Sequence, residues 1–328
     1  MTGPLRRLID FVAGWRSLPP YELVSYTLMF ASVPMLASGT RRFDGTLLLR
    51  VIAPTVLSLY AGFFAALIVN DITDADIDAS AHPDRPIPAG RVSKRTFVIA
   101  SAIFALLCFG FSAAVSAWCL LVTVGTFAFA LVHNKYLKRG LRIPGYSELF
   151  GSTQWLAVGV FGYVAVWSRA PVERSLEVSL PLLGTLSTSQ DELLNMLLLA
   201  AFIYSVDTWH DIPEGILDIE GDRKAGVTTF ALSFGEKTAA RLSFAMFLLS
   251  GLVGVALFLR TSLSPLFLVG FLALYLSTAR YPWRMVRSVG GPAMRAACSD
   301  AGRKGFDYFL FCFDLIFLDL LVQHLLKR

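Results

Sequence analysis

Apolar stretches about as long as a bilayer is thick recur along this 328-residue chain, most of them closed off by charged residues. They are Tyr21–Ser38, Leu47–Val69, Thr96–Val115, Ala117–Asn134, Glu148–Trp167, Leu193–Trp209, Ala239–Leu259, Pro265–Ala279 and Phe306–Leu325. A membrane-crossing helix needs roughly 20 mostly apolar residues, and in lipid a segment must satisfy its peptide groups internally. The pattern predicts an all-α integral membrane protein, a single domain over residues 1–328 with about nine transmembrane helices. Composition agrees. Hydrophobic residues make up 55% of the chain and charged residues 16%, where a soluble domain carries about a quarter charged.

Lys and Arg set the expected orientation, because they accumulate on the cytoplasmic side. With the N-terminus inside, the inner segments hold Arg85, Arg91, Lys135, Lys138, Arg223 and Lys224, among others. Arg142, Lys94 and Arg95 read as topology signals of the same kind, and Arg16 as an interfacial anchor. The net charge of +5 fits inner loops lying against anionic membrane lipids and calls for no nucleic-acid partner. Cys108, Cys119, Cys298 and Cys312 show no paired spacing and read as packing residues rather than disulfides or metal ligands.

Acid is concentrated where the second span ends, in Asn70-Asp71-Ile72-Thr73-Asp74-Ala75-Asp76-Ile77-Asp78. A charged residue at the centre of a membrane helix costs about 2.5–3.5 kcal/mol on insertion scales. The negative end of the helix dipole repels further negative charge. Acid kept against both penalties points to a function. At about 100° per residue, Asn70, Asp71, Asp74 and Asp78 share one arc, while Asp76 faces away.

A second cluster, His210-Asp211-Ile212-Pro213-Glu214-Gly215-Ile216-Leu217-Asp218-Ile219-Glu220-Gly221-Asp222-Arg223, follows four spans later, hence on the same membrane side. Both clusters contain Asp-x-x-x-Asp, and 218 − 74 and 222 − 78 both equal 144. The match suggests two similar four-helix halves plus a ninth helix. Pro213 and Gly215 weaken the expectation of helix before Asp218.

Carboxylates on adjacent turns repel unless a cation holds them ionised together. Mg²⁺ suits such sites, since it takes oxygen ligands from one or two carboxylates and fills its other positions with water or substrate phosphate. Asn70, Asp71, Asp74, Asp78, Asp218 and Asp222 are therefore candidate metal ligands. Arg85, Lys138 and Arg223 are candidates for the anionic oxygens of a bridged diphosphate. A calcium loop over Asp74-x-Asp76-x-Asp78 is excluded, because Ala79 stands where the turn glycine belongs and Arg85 where the bidentate Glu belongs. Solvated loop acid remains the plain alternative for either motif alone.

These residues resemble the UbiA-type intramembrane prenyltransferase superfamily. Its first motif, Asn-Asp-x-x-Asp-x-x-x-Asp, is matched by Asn70, Asp71, Asp74 and Asp78, and Arg85-Pro-Ile-Pro-Ala-Gly-Arg91 follows as in many members. Its second motif is matched by Asp218, Gly221, Asp222, Arg223 and Gly226. Two departures stand out. Asn134 occupies the Tyr position of a Tyr-x-x-x-Lys pattern ending at Lys138, with Tyr136 nearby, and Gly215 stands where many members carry a further acid.

The resemblance implies a UbiA-like helical bundle that binds an isoprenyl diphosphate with Mg²⁺. It further implies transfer of the prenyl group to an aromatic or lipid-soluble acceptor, with the site toward the cytoplasmic side of a cell membrane, bacterial by expectation. Asp74, Asp78, Asp218, Asp222 and Lys138 would carry the chemistry, and Asn70, Arg85, Lys138 and Arg223 would hold the diphosphate. A terpene cyclase of the same superfamily would ionise the same substrate without an acceptor. An ion-coupled transporter is the distant rival, disfavoured because the acids stand at span ends rather than mid-span. Asp307, Asp314 and Asp319 lie within the ninth span, and interhelical hydrogen bonding is their expected role ahead of lining the chamber.

Overall fold

A computed structural model describes residues 19–39, 44–81, 83–137, 140–169 and 176–326. The helices in chain order are α1 (Pro20–Ser38), α2 (Gly45–Thr73), α3 (Ala75–Ala81), α4 (Lys94–Val115), α5 (Ala117–Leu137) and α6 (Tyr146–Trp167). A hairpin of β1 (Leu176–Leu180) and β2 (Gly184–Thr188) follows. Then come α7 (Gln190–Leu217), α8 (Ile219–Ala225), α9 (Phe230–Phe234), α10 (Glu236–Arg260), α11 (Pro265–Thr278), α12 (Arg280–Ser288) and α13 (Met294–Leu326).

Seven of these are long and apolar enough to cross a membrane: α2, α4, α5, α6, α7, α10 and α13. The other two expected spans exist as helices but fall short of that measure, so the described residues do not confirm the count of nine. Helix α1 is the bundle's interior strut; Ser25, Tyr26, Ser32 and Ser38 are buried in it, and an interior helix can carry polar groups that lipid would reject. Helix α11 has 14 residues, about 21 Å at 1.5 Å per residue, against roughly 30 Å of hydrocarbon.

Serines define several boundaries. Ser116 is fully extended (φ −169°, ψ 163°) and both ends α4 and caps α5, its Oγ accepting from Cys119 N, so one residue turns the chain between two spans. Ser93 caps α4 and Ser189 caps α7 in the same way. Each hydroxyl satisfies one of the amides that a helix start leaves open.

Helix α7 runs unbroken through Pro213 to Leu217, contrary to the sequence expectation. A proline there removes the donor that the Trp209 carbonyl needs. Ser243 Oγ of α10 supplies it instead, donating to Trp209 O at 2.6 Å.

The two halves repeat their packing: α2 lies on α4, and α7 on α10. Helix α13 seals the bundle by packing on α7 and α1. Its close approach depends on Gly305, where a Cβ would stand 2.4 Å from His210 Cβ and 2.7 Å from Trp209 Cη2. Small residues permit such backbone proximity where lipid offers no hydrophobic drive for association.

The hairpin is an addition to the all-α expectation. Its strands pair antiparallel from Leu176↔Thr188 to Leu180↔Gly184, with Leu182 fully exposed at the tip. Trp118 Nε1, near the start of α5, donates to Gly184 O. That places the hairpin at the end of the bundle opposite the C-termini of α2 and α7. The four cysteines are buried and free.

Candidate active site

The acid motifs are structural copies. Asp74 closes α2 with φ −97° and ψ 3°, and Asp218 closes α7 with φ −98° and ψ 10°. Each is followed by a seven-residue helix, α3 or α8. The backbone bonds correspond: Asp74 N to Asn70 O and Asp78 N to Asp74 O, then Asp218 N to Glu214 O and Asp222 N to Asp218 O, all at 2.8–2.9 Å. The fixed offset of 144 pairs Asn70 with Glu214, Asp71 with Gly215 and Asp76 with Glu220.

A polar cavity of about 260 Å³ lies between the copies. Its wall takes Asn70 from the first motif and Asp218 and Asp222 from the second, with Asp211, Glu214 and Glu148 beside them. Within the first motif Asp71 and Asp78 are buried, Asp74 is half-buried and Asp76 is exposed. Asp78 is held by Arg85, whose Nη1 donates to both carboxylate oxygens at 2.9 and 2.8 Å. The sequence assigned these two to different ligands; the fold joins them to each other. Arg223 is exposed on α8. Lys138 and Arg16 lie outside the described residues.

An apolar cavity of about 350 Å³ adjoins the polar one. Helices α1, α2, α4, α5 and α6 line it with residues such as Phe30, Leu59, Phe127, Val158 and Phe161. Asn70, Asn134, Phe150, Gly151, Gln154 and Asp211 belong to both walls. The two spaces therefore meet at a ring of mainly polar side chains.

Asn134, the departure at the expected Tyr, donates from Nδ2 to Asn70 Oδ1 at 3.2 Å. It thus ties α5 to the first motif, whereas Tyr136 is exposed. In the residue before Asn134, His133 Nδ1 pairs with Tyr146 Oη at 2.9 Å, and its ring stacks on Phe150.

The second departure has a structural counterpart. At Gly215 a Cβ would lie 2.7 Å from Glu148 Oε1. Glu148 comes from the first turn of α6, is buried, and accepts from Phe230 N with both oxygens at 3.1 and 3.2 Å. A carboxylate from another helix fills the space beside residue 215 where an acid is missing from the motif. Sequence reading passed over Glu148, Asp207 and His210. The available signal was the one used for Asp74, an ionisable residue inside an apolar helix.

Asp307, Asp314 and Asp319 of α13 serve the bundle. Tyr21 Oη and Lys304 Nζ donate to Asp307, and Ser25 Oγ to Asp314, at 2.7–2.9 Å. Asp319 accepts from Ser264 N and Oγ, Phe267 N and Gln323 Nε2. It thereby caps the start of α11 from a neighbouring helix, where a negative charge is favourable.

The chain is similar to proteins of known name. The digeranylgeranylglyceryl phosphate synthase of Methanoregula boonei is 31% identical over 211 residues, 64% of this chain and 64% of that protein's own length. The glycinol 4-dimethylallyltransferase of Glycine max is 25% identical over 72% of this chain and 55% of its own length. The chain thus spans about two thirds or less of these relatives. Among solved structures, a UbiA homolog from Aeropyrum pernix K1 superposes with a TM-score of 0.68 at 21% identity, covering 93% of this chain and 99% of the other. A UbiA homolog from Archaeoglobus fulgidus bound to DMAPP and Mg²⁺ gives 0.53 at 13% identity, over 90% and 96%. A model of the UbiA prenyltransferase family matches residues 26–297, a stretch that holds both acid motifs and every residue of the two cavities. With that match over most of its length, this integral membrane protein belongs to the UbiA prenyltransferase family.

Proposed function

We propose that the protein is a Mg²⁺-dependent intramembrane prenyltransferase, moving the prenyl group of an isoprenyl diphosphate to a lipophilic, hydroxyl-bearing or aromatic acceptor. The observation that carries this reading is the junction of the two cavities. A prenyl diphosphate is a polar head on an apolar tail, and the chain offers an acid-lined chamber opening onto an apolar one. The names of the relatives support the same donor class, geranylgeranyl in one and dimethylallyl in another.

The donor set fits magnesium, since Asn70, Asp218 and Asp222 present hard oxygens to one cavity. Asp71, Asp74 and Asp78 complete the facing motif, and Arg85 fixes the Asp78 carboxylate. Bound there, Mg²⁺ would offset the diphosphate charge and turn it into a leaving group. The chain does the rest. Asn134 holds Asn70 in place, Arg223 and Lys138 supply positive charge to phosphate oxygens, and the apolar chamber keeps water from the allylic cation. Aromatic rings such as Phe63, Phe127 and Phe161 stabilise that cation by about 0.5–2 kcal/mol each where they face it. The Lys and Arg bias supports a cytoplasmic position for the chamber's polar end.

The test uses purified protein with labelled prenyl diphosphates of several lengths, with and without Mg²⁺ and candidate acceptors. Diphosphate release that needs Mg²⁺, with label appearing in an acceptor, is expected. A cyclic hydrocarbon or alcohol formed without acceptor would replace transfer by cyclisation, and no release at all would remove the ionisation reading.

A further inference from the structure

Asp207, His210 and Asp211 share one face of α7, three and four residues apart. His210 Nε2 lies 3.1 Å from Asp207 Oδ1, and its Nδ1 faces Asp211 Oδ1 at 3.4 Å. Asp207 and His210 are buried, at 1% and 5% exposure, and both Asp207 Oδ2 and His210 Nδ1 are without a hydrogen-bond partner among the described residues. The three groups lie close enough to suggest a metal site. Each ring nitrogen faces a different carboxylate, so the imidazole bridges the two acids.

Asp211 carries this cluster to the cavities. Of the six residues common to both walls, Asp211 is the one carboxylate; the others are Asn70, Asn134, Phe150, Gly151 and Gln154. Its placement depends on Gly151 of α6, where a Cβ would stand 2.8 Å from Asp211 Oδ2. The junction of a polar and an apolar chamber is also where the C1 atom of a prenyl diphosphate must sit, since C1 joins head to tail.

We propose that Asp211 is the catalytic base that takes the proton of a hydroxyl-bearing lipophilic acceptor, with His210 and Asp207 as positioning residues behind it; this rests on the prenyltransferase reading above. The C1–O bond to diphosphate breaks and its electron pair leaves with the diphosphate. A lone pair of the acceptor oxygen forms the new O–C1 bond. The O–H bond breaks, its electrons stay on oxygen, and the proton passes to an Asp211 carboxylate oxygen. His210 Nδ1 faces that carboxylate at 3.4 Å as an ion-pair partner, and Asp207 holds the ring through Nε2.

The experiment separates ionisation from capture. Purified wild type, Asp211→Asn, Asp211→Glu, His210→Gln and Asp207→Asn receive labelled geranylgeranyl diphosphate and Mg²⁺, with a long-chain glycerol monoether and an alkylphenol as acceptor probes. In Asp211→Asn, diphosphate release should stay within about threefold of wild type while prenylated probe falls about 10²-fold, the scale of a lost general base. Label should then appear as prenyl alcohol. Asp211→Glu should recover part of the transfer, and the His210 and Asp207 variants should shift the same partition by about tenfold. Were Asp211→Asn to fail to fold, Gly151→Ala, which keeps the acid but displaces its carboxylate, should shift the partition in the same direction. Transfer by Asp211→Asn within threefold of wild type, parallel loss of release and transfer, or wild type that releases diphosphate yet prenylates neither probe would each overturn the base. Wild type that releases no diphosphate would instead overturn the prenyltransferase reading.

Discussion

Gly215 and Glu148 should be energetically coupled, and a double-mutant cycle can measure it. A Cβ at 215 would lie 2.7 Å from Glu148 Oε1, about 0.6 Å inside a C···O contact of about 3.3 Å. In Gly215→Ala the carboxylate has to withdraw, which strains or breaks its two bonds to Phe230 N. Overpacking of this kind costs about 1–3 kcal/mol. Glu148→Ala alone leaves the buried Phe230 N–H unpaired, a penalty also of about 1–3 kcal/mol. In the double variant the new methyl enters space the carboxylate has left, so the collision term disappears. The double variant should therefore be less destabilised than the sum of the singles by about 1–2 kcal/mol. Unfolding midpoints of the four proteins in one detergent give the comparison. Additivity within about 0.5 kcal/mol would mean that Glu148 does not occupy the space beside residue 215. The cycle has a functional arm as well: Gly215→Asp alone should abolish diphosphate release, and Gly215→Asp with Glu148→Ala should recover it.

Three further outcomes follow from the geometry. Asp76, exposed on the far side of α3, should tolerate Asn with little change in prenyl transfer, whereas Asp74→Asn should lower it about 10²-fold; equal losses would undo the division of roles within the motif. Gly305→Ala should destabilise the bundle by about 1–3 kcal/mol, read as an unfolding shift, because the contact at 2.4 Å is with His210 Cβ rather than a flexible tip. Ser243→Ala should cost about 1–3 kcal/mol by leaving the buried Trp209 carbonyl unpaired, and adding Pro213→Ala, which returns a backbone donor, should recover much of it. No recovery would show that the Ser243 bond does not stand in for the missing amide.

The membrane fold and the acid motifs were legible in the sequence because they rest on local quantities: apolar run length, and a spacing of four repeated at an offset of 144. What escaped depends on approach between segments distant in the chain. Glu148 reads as one acid at the head of an apolar run until α6 places it against Gly215. Asn134 reads as a missing tyrosine until it reaches Asn70. Pro213 reads as a helix breaker, since nothing near it in sequence reveals a hydroxyl 30 residues later. The pairing of Asp78 with Arg85 is local, seven residues apart, but spacing alone could not decide between partner and ligand roles for either.

The near-identical backbone at Asp74 and Asp218 has a consequence for how such a centre can change. In a two-fold symmetric homodimer, one substitution alters both sides of a shared site at once. Carried as two stretches of one polypeptide, the same scaffold lets each side change alone. Residue 71 is Asp, its counterpart at 215 is Gly, and the freed space holds a carboxylate from a third helix. The duplicated frame keeps the geometry, and the loss of symmetry lets one side of the chamber specialise without the other.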